Sequence, residues 1–502
     1  MMSVRDLYGV TRKGSIYLLA GRIVMPIIGV AVTIYVVRSL SLKQYGIYSV
    51  LLAVLGYLSL LSALGLPSIF QRFLPEFVEK GRLGQLKKLV RDGLALRLAL
   101  ILALSVAVIL LSRVIGGLVR VEDFGDYFKL FAIAVVFFCE AQLLGVALSS
   151  LFMYKEFVLS QLLYTLGRAG LIFLLLGLGG GLTGLLAAEA AAYAVWFAIQ
   201  ALYYRGYSKR HPPLEGEEPF PTRRVARFGG YSYFNEMGSR ILNVQTDFFV
   251  IAAFLGPQAV GLYAFATKTM TSLTALLPQH LLMEVIRPAF FTKYVRSEDD
   301  RDLVRMFNLV TKLTAFILFP LVAGVFVLGD KLIVHVFDVK YLDSLTVLWI
   351  AAFFSALNAF EFPLGLVTQS LEKVEINFYS KIFAVYNLLL DLIVVRSYGI
   401  VGVALATCSA VLLKNLFIYV LTRRHIDLSI DWASLTRIAT NAAAMTLLVY
   451  PLRGYVTSLP SFLAVVAAGA LAYFVVAYLN KGFSPSERVV LNRILPRPVF
   501  VF

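Results

Sequence analysis

Several charged side chains stand inside long apolar stretches of this sequence, and they are its main candidates for chemistry. The cations are Arg22, Arg97, Arg168, Arg240, Lys268, Lys312 and Lys381; the anions are Glu140, Glu189, Glu236, Asp247, Glu361 and Asp391. In a low-dielectric setting a cation attracts an anion, and the fixed donor fork of arginine matches phosphate oxygens. A carboxylate there binds a cation or takes up a proton. Arg240 and Asp247 are seven positions apart, so a helix carries them on one face. The plainer use of such charges is to pair and pin helices together, as Arg168 would with Glu140 or Glu189. Lys312, Lys381 and Glu284 lie near the ends of apolar runs, where long side chains snorkel to the interface. His211, His280, His335 and His425 show no ligand spacing, and Cys139 and Cys408 lie in apolar runs, so no metal, cofactor or disulfide framework is expected.

The elements that must hold these charges are membrane helices. Hydrophobic residues make up 59% of the 502 and charged ones 15%, whereas a water-facing surface needs nearer a quarter charged. A spanning helix takes about 20 apolar residues. Such runs lie near 15–37, 44–65, 93–112, 128–150, 158–177, 183–203, 228–254, 258–283, 309–329, 344–368, 379–395, 400–422, 437–453 and 461–480. The reading is an all-α polytopic membrane protein of about 14 transmembrane helices. The short basic start leads into a full-length span without a small-residue cleavage site, which predicts a retained helix.

The net charge of +16 is explained by its placement and does not call for nucleic acid. Loops and tails on the N-terminal side hold about 28 Lys and Arg, including Lys87, Lys88, Arg91, Arg223, Arg224 and Arg227. The opposite side holds about 8, among them Arg38, Lys43, Lys331 and Lys340. Both termini are therefore expected in the cytoplasm.

The chain also repeats itself. LSLKQYGIY (40–48) and LGPQAVGLY (255–263) align at an offset of 215, matching Leu40, Gly46 and Tyr48 to Leu255, Gly261 and Tyr263. The same offset places Arg72 on Arg287, two repeat-equivalent arginines at cytoplasmic helix ends. GLTGLLAAE (181–189) resembles GIVGVALAT (399–407), with paired glycines three apart in both. The expected organisation is a six-helix lobe (1–206), a Pro-rich cytoplasmic linker (207–227) acting as a flexible tether, a second six-helix lobe (228–424), and a terminal helix pair with a cytoplasmic tail (425–502).

This pattern resembles the polysaccharide-exporter branch of the multidrug/oligosaccharidyl-lipid/polysaccharide exporter superfamily, which includes the Wzx-type flippases. The YGIY and VGLY turns, Gly65 with Arg72 and Pro75-Glu76, Asp247 ahead of LGPQAVGLY, and the six-plus-six-plus-two plan carry the resemblance. It implies a cytoplasmic-membrane flippase for a polyprenyl-diphosphate oligosaccharide, working by alternating access, with the first, second, seventh and eighth helices lining a cavity. On that reading Arg22, Arg240 and Lys268 are cavity cations for the diphosphate or acidic sugars. Asp247 is then their charge partner or the site of a coupling proton or Na⁺. The implied partners are the lipid-linked substrate, membrane lipids and polysaccharide-assembly proteins.

Two rivals share the superfamily: a cation-coupled multidrug extruder and a flippase for a lipid-linked peptidoglycan precursor. The many membrane cations and the last two spans speak against the first. A polytopic glycosyltransferase or ligase is the rival of another class. The short external loops and the lack of a nucleophile–base pairing give it no support, so no catalysis is expected. No nucleotide-binding loop occurs either.

Overall fold

The computed structural model describes residues 24–213, 219–240, 245–277, 299–494 and 500–502, and among these every regular element is helical. Lipid leaves an exposed backbone no other means of satisfying its N–H and C=O groups short of a closed barrel. Among the described residues, nine helices are long and apolar enough to cross a membrane. The protein is a multi-pass membrane protein.

Contact density divides the chain into two compact units, Met1–Gly261 and Leu262–Phe502. The first begins with α1 (Val24–Ser39). It continues with α2 (Leu42–Ala63), α3 (Leu66–Glu79), α4 (Leu83–Leu110), the short α5 (Ser112–Leu118), α6 (Phe124–Ser150), α7 (Tyr154–Gly177) and α8 (Gly181–Arg210). α9 (Thr222–Arg240) and α10 (Gln245–Leu255) complete it, and α11 (Pro257–Ala275) starts at its edge. α6 is the hub and packs on α8, α4 and α3. Its buried face includes small residues (Cys139, Ala141, Gly145, Ala147) that let neighbours approach. α4 instead exposes Leu98, Leu102, Val106 and Leu110, a surface suited to lipid.

Two glycine positions fix α2. Its N-terminus is a capping box in which Ser41 and Gln44 satisfy each other's backbone N–H. One turn later, a Cβ on Gly46 would lie 1.7 Å from the carbonyl oxygen of Pro257. A Cβ on Gly261 would lie 2.4 Å from the carbonyl oxygen of Leu42. Residues 42 and 46 are the repeat equivalents of 257 and 261, so the contact is reciprocal. At its other end α2 stops at Leu64 and Gly65, both left-handed (φ 44° and 71°), before α3 resumes. There a Cβ on Gly65 would sit 2.3 Å from the carbonyl oxygen of Gly229 in α9.

The second unit holds α12 (Asp300–Lys331), α13 (Leu345–Ser370), the short α14 (Val374–Tyr379), α15 (Ile382–Arg423), α16 (Trp432–Val449), α17 (Leu459–Asn480) and α18 (Pro485–Ile494). α12 packs on α13 and α16, and α16 pairs with α17. α15 covers 42 residues but is two consecutive helices, because the backbone at Gly399 is not helical. The spans expected at 379–395 and 400–422 both fall in it, separated by a break at Gly399 (φ 58°). Gly181, its counterpart in the repeat, also has a left-handed backbone (φ 52°). The repeat seen in the sequence is thus a repeat of backbone geometry.

Much of the segment expected as a linker (207–227) is helical where it is described. α8 continues to Arg210 and α9 starts at Thr222. Between them Phe220 meets the ring of Phe77 at 6.1 Å, Lys88 lies over Phe220, and Val225 joins the apolar core under α3. Burial of those aromatic and aliphatic groups holds the described part of the linker to the first unit.

Candidate functional site

The anticipated cavity residues are placed unevenly. Arg22 and Arg287 lie outside the described residues, and Arg240 ends α9 with its side chain likewise outside them. Asp247 stands in the first turn of α10 and is fully buried. Its neighbours tie α10 to α2: Thr246 and Tyr57 share a 2.6 Å hydroxyl hydrogen bond, and Phe249 packs on the Tyr57 ring at 5.6 Å. Lys268 is exposed on α11, in the second unit. Arg72 is on the exposed face of α3.

Inside the first unit, two buried polar clusters join helices. Arg168 of α7 donates from Nε and Nη2 to both oxygens of Glu189 in α8, at 2.8 and 2.5 Å. Tyr48 of α2, the repeat tyrosine, donates to the same carboxylate at 2.6 Å. Of the two carboxylates anticipated for Arg168, Glu189 is the partner. Tyr164 stacks between Tyr193 and Trp196 alongside, with centroids 5.5 and 4.8 Å away. The second cluster centres on Arg97, which is fully buried and donates to Gln142 Oε1 (2.8 Å), Ser59 Oγ (3.1 Å) and the Ser59 carbonyl (3.3 Å). Glu140 is buried beside it and feels its charge. Such groups at membrane depth are costly unless paired, so they bind α2, α4, α6, α7 and α8 into one body.

A third cluster lies outside the spans, at the end of the first unit. Glu76 accepts from Arg224 Nη1 and Nη2 (2.8 and 2.9 Å), Lys80 Nζ (2.7 Å) and Arg72 Nη1 (3.0 Å). Arg224 and Arg72 also lie over the Phe73 ring, at 5.1 and 5.8 Å from its centroid. Hydrogen bonds from Arg224 and then Lys80 hold the Glu76 carboxyl down at about 2. Ser68 donates to Glu236 of α9 at 2.7 Å, a further link between α3 and α9. The sequence marked Arg72 and Pro75-Glu76 as motif residues and counted Arg224 only as loop charge. Their convergence depends on α9 packing against α3, a long-range contact with no local signal.

In the second unit Lys312 departs from the snorkelling expected of it. Its side chain is 4% exposed and its Nζ lies 3.1 Å from Asp431 Oδ2 and 2.5 Å from Glu487 Oε1. Burial works against the Asp431 charge, but hydrogen bonds from Ser434 and Lys312 outweigh it and lower its pKa. An open apolar groove of about 560 Å³ runs between α12, α13 and α16, lined by Phe319, Val322, Phe326, Ala356, Ala443 and Leu447. Among the described residues no His, Cys, Asp and Glu come together as a metal site.

Residues 11–293, more than half of the chain, match the polysaccharide biosynthesis protein family. The chain belongs to that family. This member is 24% identical over 371 residues to the probable low-salt glycan biosynthesis flippase Agl15 of Haloferax volcanii, covering 74% of each chain. It is 22% identical over 396 residues to the lipopolysaccharide biosynthesis protein WzxC of Escherichia coli K12, covering 76% of this chain and 74% of that one. In fold it is similar to the lipid II flippase MurJ in an inward closed conformation: TM-score 0.69 at 15% identity, over 93% of this chain and 98% of that one.

Proposed function

We propose that this protein is a flippase that carries a polyprenyl-diphosphate oligosaccharide from the inner to the outer leaflet of the cytoplasmic membrane. The observation that carries the reading is family membership across residues 11–293, with two relatives aligned over about three quarters of their length, one of them named as a flippase. The chain is a transporter and catalyses no bond change. Fourteen crossings in six-helix lobes (1–206 and 228–424) plus a terminal pair, with both termini cytoplasmic, follow from the apolar runs and the basic loops.

In this reading the headgroup enters a cavity lined by the first, second, seventh and eighth helices. Arg22, Arg240 and Lys268 meet its diphosphate there, and Asp247 holds a cation in place or takes a coupling proton or Na⁺. Its burial at the start of α10 suits a group that acts through a close partner and not through bulk water. The apolar groove between α12, α13 and α16 suits an isoprenoid chain lying beside the terminal helices while the headgroup crosses. Polysaccharide-assembly proteins would receive the product outside.

The test is transport of a fluorescent polyprenyl-diphosphate oligosaccharide between leaflets of proteoliposomes. The wild type flips it; Arg240→Gln and Lys268→Met insert and fold but lose at least about tenfold in rate, as expected when a charge-assisted phosphate contact is removed. A wild type that moved no such lipid but expelled organic cations against a Na⁺ or proton gradient would replace this reading with the multidrug one.

A further inference from the structure

The Glu76 cluster has a composition that a plain helix tie does not need. One cation suffices to pair a carboxylate, yet Arg72, Lys80 and Arg224 all converge on this one. The three cations repel one another, and with a single carboxylate among them the cluster keeps a net charge of +2. Exposure is also divided by sign. The cation side chains are about half exposed (53%, 48% and 51%), while the carboxylate is only 10% exposed. An anion arriving from water would therefore meet donors first and reach them without passing the acceptor. The Phe73 ring beneath both guanidinium groups keeps them from collapsing onto other partners.

From this we infer that Arg72, Lys80 and Arg224 form an anion site at the cytoplasmic mouth, that Glu76 is its internal occupant, and that a diphosphate headgroup displaces it. The inference rests on the flippase reading for the identity of the headgroup and on the basic loops for the side of the membrane. The chemistry agrees in geometry and in charge. A carboxylate and a phosphate present the same paired oxygens to an arginine fork. A diphosphate diester carries two negative charges, which neutralise the cluster's excess. Occupancy then has a mechanical result, because Arg224 belongs to the first turn of α9 while Glu76 belongs to α3. Drawing Arg224 onto the headgroup releases one of the links between those helices and leaves the Ser68–Glu236 hydrogen bond in place. Capture of substrate and loosening of the mouth are thus one exchange of hydrogen-bond acceptors.

Glu76 is a positioning residue that competes with the ligand, so its removal should strengthen binding, opposite to the effect of losing a cation. The experiment titrates the full chain, in phosphatidylcholine nanodiscs, with farnesyl diphosphate and follows binding calorimetrically. Glu76→Gln, which keeps the shape, is expected to bind about tenfold more tightly than wild type, and Arg224→Gln or Lys80→Gln about tenfold more weakly. Arg224→Gln added to Glu76→Gln should abolish the gain. Farnesyl diphosphate binding to Glu76→Gln no tighter than to wild type overturns the proposal. Loss of diphosphate binding when phosphatidylglycerol enters the discs overturns it too, by assigning the site to a phospholipid headgroup. Should Glu76→Gln not fold, Lys80→Gln decides: unchanged affinity overturns the site, weakened affinity upholds it. Flipping by wild-type proteoliposomes is scored separately, so a failed flippase reading is distinguishable from a failed site.

Discussion

At the scale of single residues, burial of charge is what gives this chain its internal order. Arg168, Glu189 and Tyr48 come from three helices and meet through hydrogen bonds of 2.5, 2.6 and 2.8 Å. Removing one partner strands the other. Glu189→Ala should lower stability by about 2–4 kcal/mol, toward the low end because Arg168 keeps some exposure. Thermal unfolding of the detergent-solubilised protein measures it, and Arg168→Leu with Glu189→Leu should recover most of the loss. A single variant as stable as wild type would show the pair to be idle. The sequence named these residues because a charge in an apolar run stands out by itself. It offered two partners for Arg168, since which carboxylate faces it depends on the rotation of α6 and α8. Lys312 was misplaced for a related reason: its partners lie at Asp431 and Glu487, far along the chain.

At the scale of elements, glycine decides where helices cross. The first turns of α2 admit the start of α11 only because neither Gly46 nor Gly261 has a side chain. Gly46→Ala would set a methyl group against the Pro257 carbonyl, and backbone cannot step aside as a side chain does. The expected cost is at least about 1–3 kcal/mol, seen as a lower unfolding midpoint in detergent. An equal midpoint would mean that the helices stand farther apart. Most long helices were legible, because the apolar runs fall on them in the described chain, but α3 between Leu66 and Glu79 was not, and the run at 228–254 falls on two helices, α9 and α10. The repeat was legible as well, since Gly181 and Gly399 answer the same left-handed backbone demand. That Gly46 and Gly261 face each other was not, because a motif records what a residue needs and not what supplies it.

At the scale of the whole molecule, the sequence conveyed class and family better than it conveyed the site. Hydropathy and charge placement are sums over many residues and survive local error, whereas a site depends on a few side chains brought together by packing. The chain beyond α17 illustrates this. The sequence reads it only as a cytoplasmic tail; in the structure Glu487 reaches Lys312, and Phe500 and Phe502 lie on Phe316 at 6.0 and 5.4 Å. Lys312→Ala would leave Asp431 and Glu487 without their shared cation. The tail should then release, and trypsin should cut at Lys481 or Arg488 several-fold faster than in wild type. Unchanged cleavage would show that the aromatic contacts alone retain it.

The reciprocal crossing of α2 and α11 also bears on origin. Residue 42 serves 261 as 257 serves 46, which is the relation that two identical surfaces have across a dyad. A gene encoding a single copy would produce that seam by self-association, each protomer offering the same glycine to its twin. Fusion of two such genes would preserve the seam and free the halves to diverge everywhere else.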